Sequence, residues 1–297
     1  EELKALSLAV LFGGRSGERE VSLASGETVL AGLRDGGYEP LAIDTGEAHW
    51  WRALENVDLA FNIQHGTGGE DGVTQGLLAS LGVVGTGSGV LASALAMDKL
   101  RCKQLWRAGG LPTADFAVVD ASTDFEALLA AWGGAFIKPS REGSSLGMAR
   151  VTDTASAKEA VARARSHDPA VFAERLISGP EYTVAILGDR ALPPIRITSS
   201  GDFYDYEAKY RSGTTRYDIP CGLDADEEAA LCNLALRAFR YLDCRNWGRV
   251  DVMRDGDGAF LLLEVNTVPG MTDHSLVPMA ARAAGLTIPE LDRKSVV

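Results

Sequence analysis

Cysteine and histidine are scarce in this 297-residue chain, at four of each. Cys102, Cys221, Cys232 and Cys244 form no C-x-x-C pair and lie far apart, which argues against a zinc site and against a disulfide framework. They read as buried or incidental thiols of a reducing compartment. Positive charge is also short, with 29 Lys and Arg against 41 Asp and Glu and a net charge of -12. That balance excludes a broad surface tracking a nucleic-acid backbone, so any anionic substrate must be drawn in by a local basic cluster. No apolar run reaches membrane-spanning length, and the start EELKALSLAVLFGG lacks the basic region and cleavage site of a signal peptide, so neither a membrane nor export is expected and the cytoplasm is the expected compartment. Two nucleotide signatures are missing too. There is no G-x-x-x-x-G-K-[ST], and the glycine-rich turns at 66–72 and 85–89 fail G-x-G-x-x-G at its last position, so neither a P-loop nor a dinucleotide fold is supported.

Apolar content of 46% and charged content of 24% are ordinary for a globular chain, and the length allows two or three packed lobes. The order of patterns is that of an α/β protein. An apolar strand (Ser7 to Phe12) runs into Gly13-Gly14-Arg15-Ser16-Gly17 and then into a helical pattern at about 20–33; a second strand (57–63) ends in His65-Gly66-Thr67-Gly68-Gly69-Glu70-Asp71-Gly72, with helix resuming at Val73. Helices are predicted at 90–97, 100–108, 226–242 and 277–284, and the texture changes after Asp98-Lys99. We therefore expect three units, 1–98, 99–178 and 179–297, the first built on a parallel sheet.

Two segments point to phosphate chemistry. Phe136 to Met148, FIKPSREGSSLGM, delivers Lys138 at a strand end and follows it with small residues whose backbone N–H groups suit phosphate oxygens; a flexible hairpin loop has the same look. The second is GRVDVMRDGDGAFLLLEVN. Asp255-Gly256-Asp257-Gly258 is a turn signal between two β-patterned runs. With a two- or four-residue turn, Arg249 falls opposite Glu264, Asp251 lies diagonal to it and Asn266 lies one step further along the same face, while Val250, Val252, Leu261, Leu263 and Val265 face a core. Two carboxylates, a carboxamide and a guanidinium on one face suit a hard cation beside anionic phosphates, although an ordinary solvated hairpin carries such residues as well. Phe203 to Pro220, with Phe203, Tyr204, Tyr206, Tyr210 and Tyr217 among polar neighbours, suits a lid that packs down on bound substrate or a static surface loop.

Eight ordered motifs, GGRSGEREVSL, HGTGGEDGVTQGLL, TGSGVLASALAMDK, IKPSREGSSLGM, ERLISGPEYTVAIL, FYDYEAKY, WGRVDVM and LLLEVNTVPGMTDHSLVPMAARAAG, resemble the D-alanine:D-alanine ligase family of ATP-grasp enzymes over nearly the whole chain. The resemblance implies a three-lobed ATP-grasp architecture and ATP-dependent joining of two D-alanines through an acyl phosphate, for peptidoglycan precursor synthesis. It implies that Lys99, Lys138 and Lys209 contact ATP phosphates with Ser145 of the small-residue loop beside them, that Glu174 meets adenine and Glu181 the ribose, and that Asp251, Glu264 and Asn266 hold two Mg²⁺ ions, or Mn²⁺ in their place. Glu18, helped by Ser144 and Tyr210, would hold the first substrate's ammonium, with His65 beside it. Arg249 and the Gly270 amide would stabilise the oxyanion, and Ser275 with the Leu276 amide would take the second carboxylate. A homodimer is implied as well. Asp273 departs from the pattern, since a serine is usual there, and puts an acid next to the expected second-substrate site. The rival expectations are a ligase using D-lactate or D-serine as second substrate, against which Tyr210 argues, and a nucleotide sensor that ligates nothing, against which Glu18, Arg249, Glu264 and Asn266 together argue.

Overall fold

The structure is a computed structural model and describes residues 5–143, 146–198, 215–287, 289–291 and 295. Its first unit alternates strand and helix: β1 (Leu8–Phe12), α1 (Arg19–Asp35), β2 (Leu41–Asp44), β3 (Leu59–Asn62), α2 (Val73–Leu81), β4 (Val84–Gly85) and α3 (Val90–Met97). The strands form a wholly parallel sheet in the order β2-β1-β3-β4. β1 and β3 are nearly continuous in apolar residues because helices and the neighbouring lobe cover both faces of the sheet. At the carboxyl ends of β1 and β3 the chain turns through Gly13-Gly14 and Gly66 to Gly72, and both turns open on the same side. The second turn needs its glycine at 69, where a Cβ would stand 2.0 Å from the Gln64 carbonyl oxygen.

Next come α4 (Lys99–Ala108), β5 (Phe116–Val118), α5 (Phe125–Trp132), β6 (Ala135–Pro139), β7 (Ala149–Val151), α6 (Thr154–His167) and β8 (Val171–Arg175). The strands make an antiparallel sheet, β5-β8-β6-β7, with α5 and α6 packed on one face. Aspartate starts each helix here: Asp98, Asp124 and Asp153 accept a backbone N–H from the third residue beyond, at 3.0, 3.0 and 2.9 Å.

The last unit contains β9 (Glu181–Leu187), β10 (Arg190–Ala191), β11 (Ile195–Thr198), β12 (Arg216–Asp218), α7 (Ala225–Tyr241), β13 (Trp247–Arg254), β14 (Phe260–Asn266) and α8 (Leu276–Ala283). Its sheet runs β12-β11-β9-β13-β14 with β10 on β9. One face of this sheet packs against the first unit, joining Phe61 and Leu33 to Trp247 and Val277 in one core. The other face is covered by α7 together with α3 and α4, whose buried Trp106 donates to the Ala238 carbonyl at 3.2 Å. The large sheet is therefore the common floor of the molecule. Of the expected lid, residues 203–214 lie outside the described residues, and Arg216–Asp218 forms the edge strand β12.

Candidate active site

Between the glycine turns of the first unit and the end of the β13–β14 hairpin lies a cavity of about 240 Å³. Glu18, His65 and Glu70 line one wall, Arg249, Glu264 and Asn266 the floor, and Gly270, Thr272, His274, Ser275 and Leu276 the other wall; Lys99 and Gly143 close the top. His65 is 3% exposed, and both ring nitrogens are engaged. Nδ1 lies 2.9 Å from the Val268 carbonyl, which can only accept, so Nδ1 carries the proton; Nε2 lies 3.0 Å from the Ser25 hydroxyl. Ser25 in turn accepts the Met271 N–H at 3.2 Å. The pair thus tethers the 268–271 segment, and with it the Gly270 amide, to the first unit. Glu70, 3.5 Å from His65, is held above its ordinary pKa by burial, which the histidine offsets only in part.

Ser275 sits at the N-cap position of α8, yet its side chain does not cap the helix. Its hydroxyl instead accepts the Thr272 N–H at 3.0 Å and meets the Thr272 hydroxyl at 2.8 Å, and Ser275 and Leu276 at the start of α8 line the cavity. Asp273 is exposed and outside the cavity lining, with its carbonyl bonded to Arg282 at 2.8 Å.

The hairpin face forms in a register different from the one expected. Arg249 pairs with Asn266 and Asp251 with Glu264, and Val252 then pairs with Leu262, so a bulge after Asp251 places one extra residue, Leu263, in β14. The bulge reverses the alternation beyond it. Leu262 rather than Leu263 packs with Val250, Val252 and Val265 in the core, and Leu263 faces a slot described below. The connection runs through five residues: the Gly258 N–H donates to Asp255 O at 3.1 Å and the Asp255 N–H to Ala259 O at 2.9 Å, with Gly258 in the left-handed region at φ 87. The four polar residues still share one face. Arg249 grips Asp251 with two parallel bonds of 2.9 and 2.8 Å; Thr183 donates to the same carboxylate at 2.6 Å and Asn266 at 3.2 Å.

Lys99 joins this face to the small-residue loop, lying 3.3 Å from Glu264 and donating to the Glu142 carbonyl at 2.6 Å. Burial opposes its charge, but the Glu264 carboxylate outweighs burial and holds the ammonium above its ordinary pKa. On the far side of Lys99 and Glu264 a second, slot-like space of about 90 Å³ opens between the central and C-terminal sheets. Its walls are Phe136, Met148, Phe172, Ile177, Met253 and Leu263, and its polar groups are Lys99, Lys103, Lys138, Glu174, Arg175, Glu181 and Glu264. Glu174 lies between Lys103 and Lys138 in two ion pairs. Burial would raise its pKa, but the two lysines together hold it below the ordinary carboxylate value. An apolar-walled slot lined by cations, sharing Lys99 and Glu264 with a face of hard oxygen donors, has the layout that a purine nucleoside triphosphate requires.

The structure thus brings together Glu18, His65, Arg249, Glu264, Asn266, Gly270, Ser275 and Leu276 around the cavity, and Lys138, Glu174 and Glu181 around the slot, with Lys99 and Glu264 shared. Asp251 stands behind Arg249, 4% exposed. Ser144, Ser145, Lys209 and Tyr210 lie outside the described residues. Sequence reasoning passed over Glu70, His274, Ser25 and Lys103. Glu70 sits inside the quoted glycine turn, and Lys103 is one helical turn from Lys99, which places both on one face of α4. The cysteines take no part: all four are free, and burial pushes Cys232 up to about 11 and Cys244 up to about 12, far from a reactive thiolate. Among the described residues, no helix is long and apolar enough to cross a membrane.

Comparison with known proteins agrees with this layout. A family profile described as "D-ala D-ala ligase C-terminus" matches residues 105–295. A D-alanine--D-alanine ligase of Stutzerimonas stutzeri (strain A1501) is 54% identical over 286 residues, 96% of this chain and 91% of that protein. Among solved structures, a D-alanine--D-alanine ligase from Bacillus anthracis superposes with a TM-score of 0.88 at 33% identity, covering 98% of this chain and 96% of the other. A D-alanine--D-alanine ligase from Bacillus anthracis complexed with ATP superposes with a TM-score of 0.86 at 30% identity, covering 98% of this chain and 96% of the other. With a slot and a cavity meeting at Lys99 and Glu264, and relatives of this identity along nearly its whole length, the chain belongs to the D-alanine:D-alanine ligase family.

Proposed function

We propose that this protein uses ATP to join two D-alanines into D-alanyl-D-alanine for peptidoglycan precursors, releasing ADP and phosphate. The observation that supports this best is the adjacency of the two spaces. ATP lying in the slot directs its γ-phosphate past Lys99 and Glu264 into the cavity that Glu18, Arg249 and Ser275 line. In the first step a carboxylate oxygen of the first D-alanine takes the γ-phosphoryl group and ADP leaves. In the second, the free amine of the other D-alanine attacks the acyl-phosphate carbon, and phosphate departs from the tetrahedral intermediate.

Each residue answers to a charge in that sequence. Glu18 at the cavity wall suits the first substrate's ammonium, Arg249 and the Gly270 amide suit the oxyanion, and Ser275 with the Leu276 amide suits the second carboxylate at a helix N-terminus. Lys99 and Lys138 suit the phosphates, Glu174 the adenine amino group and Glu181 the ribose. Lys209, Ser144, Ser145 and Tyr210 keep the roles their motifs imply. Asp251, Glu264 and Asn266 offer only oxygen ligands, two carboxylates and a carboxamide, and among the described residues no three His, Cys, Asp or Glu side chains gather. A cation here must complete its shell from phosphate and water, as Mg²⁺ does. When bound, two Mg²⁺ ions would neutralise the phosphate oxygens. A sensor has no use for the Glu18–Arg249–Ser275 cavity beside its nucleotide slot.

The reaction calls for a cytoplasmic protein, where ATP is supplied. ADP release measured with D-alanine, L-alanine, D-lactate and D-serine, singly and in pairs, tests this reading. Release is expected with D-alanine alone and not with L-alanine; release that needs D-lactate or D-serine as the second component would reassign the second substrate. We also propose a homodimer through the first unit, where Val73, Leu81, Val84 and Leu91 of α2, β4 and α3 are half or more exposed. Leu91→Glu is expected to halve the mass seen by sedimentation, and a monomeric parent protein would dismiss the dimer.

A further inference from the structure

We infer that Lys103 is a positioning residue for nucleotide choice: it is the fixed counter-ion that keeps Glu174 charged and aimed into the slot when Lys138 turns to the phosphates. The inference rests on the reading of the slot as the ATP site.

The two lysines that flank Glu174 are not equivalent. Lys138 lines the slot from the end of β6, where the small-residue loop begins, with its side chain 10% exposed. Lys103 reaches the same carboxylate from α4 with its side chain 1% exposed. An ammonium has three donors. Those of Lys103 meet three acceptors, Glu174, the Thr113 hydroxyl at 2.5 Å and the Leu262 carbonyl at 3.4 Å, and Thr113 donates to that same carbonyl at 2.8 Å. Lys103 is therefore spent on the protein and has no bond left to offer a phosphate. Lys138 has such freedom, and a triphosphate competes for it with several negative charges. Once Lys138 moves, a buried Glu174 without Lys103 would be an orphaned carboxylate in an apolar slot, and it would take up a proton.

A protonated or turned Glu174 loses its power to discriminate. As an acceptor-only carboxylate it welcomes the 6-amino group of adenine and repels a 6-oxo group; once protonated it can accept from the amino group through its carbonyl oxygen or donate to the oxo group through its O–H. A buried lysine–glutamate pair is a poor stabiliser compared with apolar residues of similar volume, so its presence in this wall is better explained by specificity than by packing. The charged groups that face Glu174 are Lys103 from α4 and Lys138 from β6. Arg107 lies 4.0 Å over the Phe116 ring instead, Arg175 pairs with Asp115 at 3.4 Å, and Glu181 and Glu264 line the same slot.

The test is equilibrium binding of ATP and of ITP, its 6-oxo analogue, by titration calorimetry on the parent protein, Lys103→Met, Glu174→Gln and the double variant. The parent is expected to prefer ATP by roughly thirtyfold, the span of a hydrogen bond to a charged group. Lys103→Met and Glu174→Gln should each reduce that preference to about threefold or less, and in the Glu174→Gln background Lys103→Met should change ATP affinity no further. Relative to the parent at each pH, Lys103→Met should also bind ATP progressively more tightly as pH rises from about 6 to 9, as Glu174 regains its charge. If Lys103→Met alone does not fold, the double variant, which removes both members of the more deeply buried pair, is compared with Glu174→Gln and decides the matter. Parent-like ATP preference in Lys103→Met, or a further loss of ATP affinity in the double variant, overturns the inference and leaves the slot reading intact. Parent-like preference in Glu174→Gln removes Glu174 from the nucleotide and the inference with it.

Discussion

Glu264→Gln is expected to lower ADP release by about a thousandfold in a protein that remains folded, because several kcal/mol of charge stabilisation vanish with one oxygen's charge. Among the described residues Glu264 is the one acid that lines both spaces, so on the proposed reaction it faces the phosphoryl group in transit from slot to cavity. Glutamine keeps the shape and a carbonyl oxygen but gives up the charge that Lys99 balances at 3.3 Å and that a hard cation requires. The fold should hardly notice. The Glu264 side chain is 21% exposed, and an ion pair with that access to water contributes at most about 1 kcal/mol. Turnover and thermal midpoint measured on the same preparation separate the two effects. A folded Glu264→Gln protein that releases ADP within about tenfold of the parent would remove Glu264 from the chemistry.

How far such a site can be read from residues alone is shown by this hairpin. Alternation with period 2 puts Arg249 with Asp251 and Glu264 with Asn266, and both the expected and the observed pairing set those two pairs on one face, so the cluster was legible. Which residue faces which was not, because pairing depends on a bulge, and the run LLLEV offers no glycine or proline to mark where the extra residue enters. The glycine turns after β1 and β3 were legible as turns. That they open toward the same cavity depends on both strands being parallel neighbours, a fact of topology. Glu70 and Ser25 escaped notice for a related reason: each acts through His65, which meets Ser25 only once the first unit has folded and Val268 only once that unit docks on the large sheet. Lys103 escaped because a lysine on an amphipathic helix reads as a solvated residue, and only the packing of α4 between two sheets buries it.

Arg249→Lys tests a different property of the same face, geometry in place of charge. The guanidinium of Arg249 forks onto both oxygens of Asp251, and its own side chain is 14% exposed beside the cavity. A lysine retains the positive charge but offers donors from a single nitrogen, so it can serve Asp251 or a developing oxyanion and not hold a fixed plane toward both. Loss of one preorganised donor to an oxyanion costs about 10²–10³ in kcat, and that is the fall expected here. The Michaelis constant for ATP should stay within about threefold, because the slot is walled by other residues and the loss belongs to the transition state. Stability should change little, since Asp251 keeps the Thr183 hydroxyl at 2.6 Å and the Asn266 amide at 3.2 Å. Arg249→Met is the contrasting variant. It strands Asp251, 4% exposed, without a counter-charge, and breaking a buried pair from one side costs about 3–5 kcal/mol, visible as a lowered denaturant midpoint. If Arg249→Lys turns over within a few-fold of the parent, the fork is not aimed at the oxyanion. If Arg249→Met is as stable as the parent, the Arg249–Asp251 pair contributes nothing to the stability of the fold.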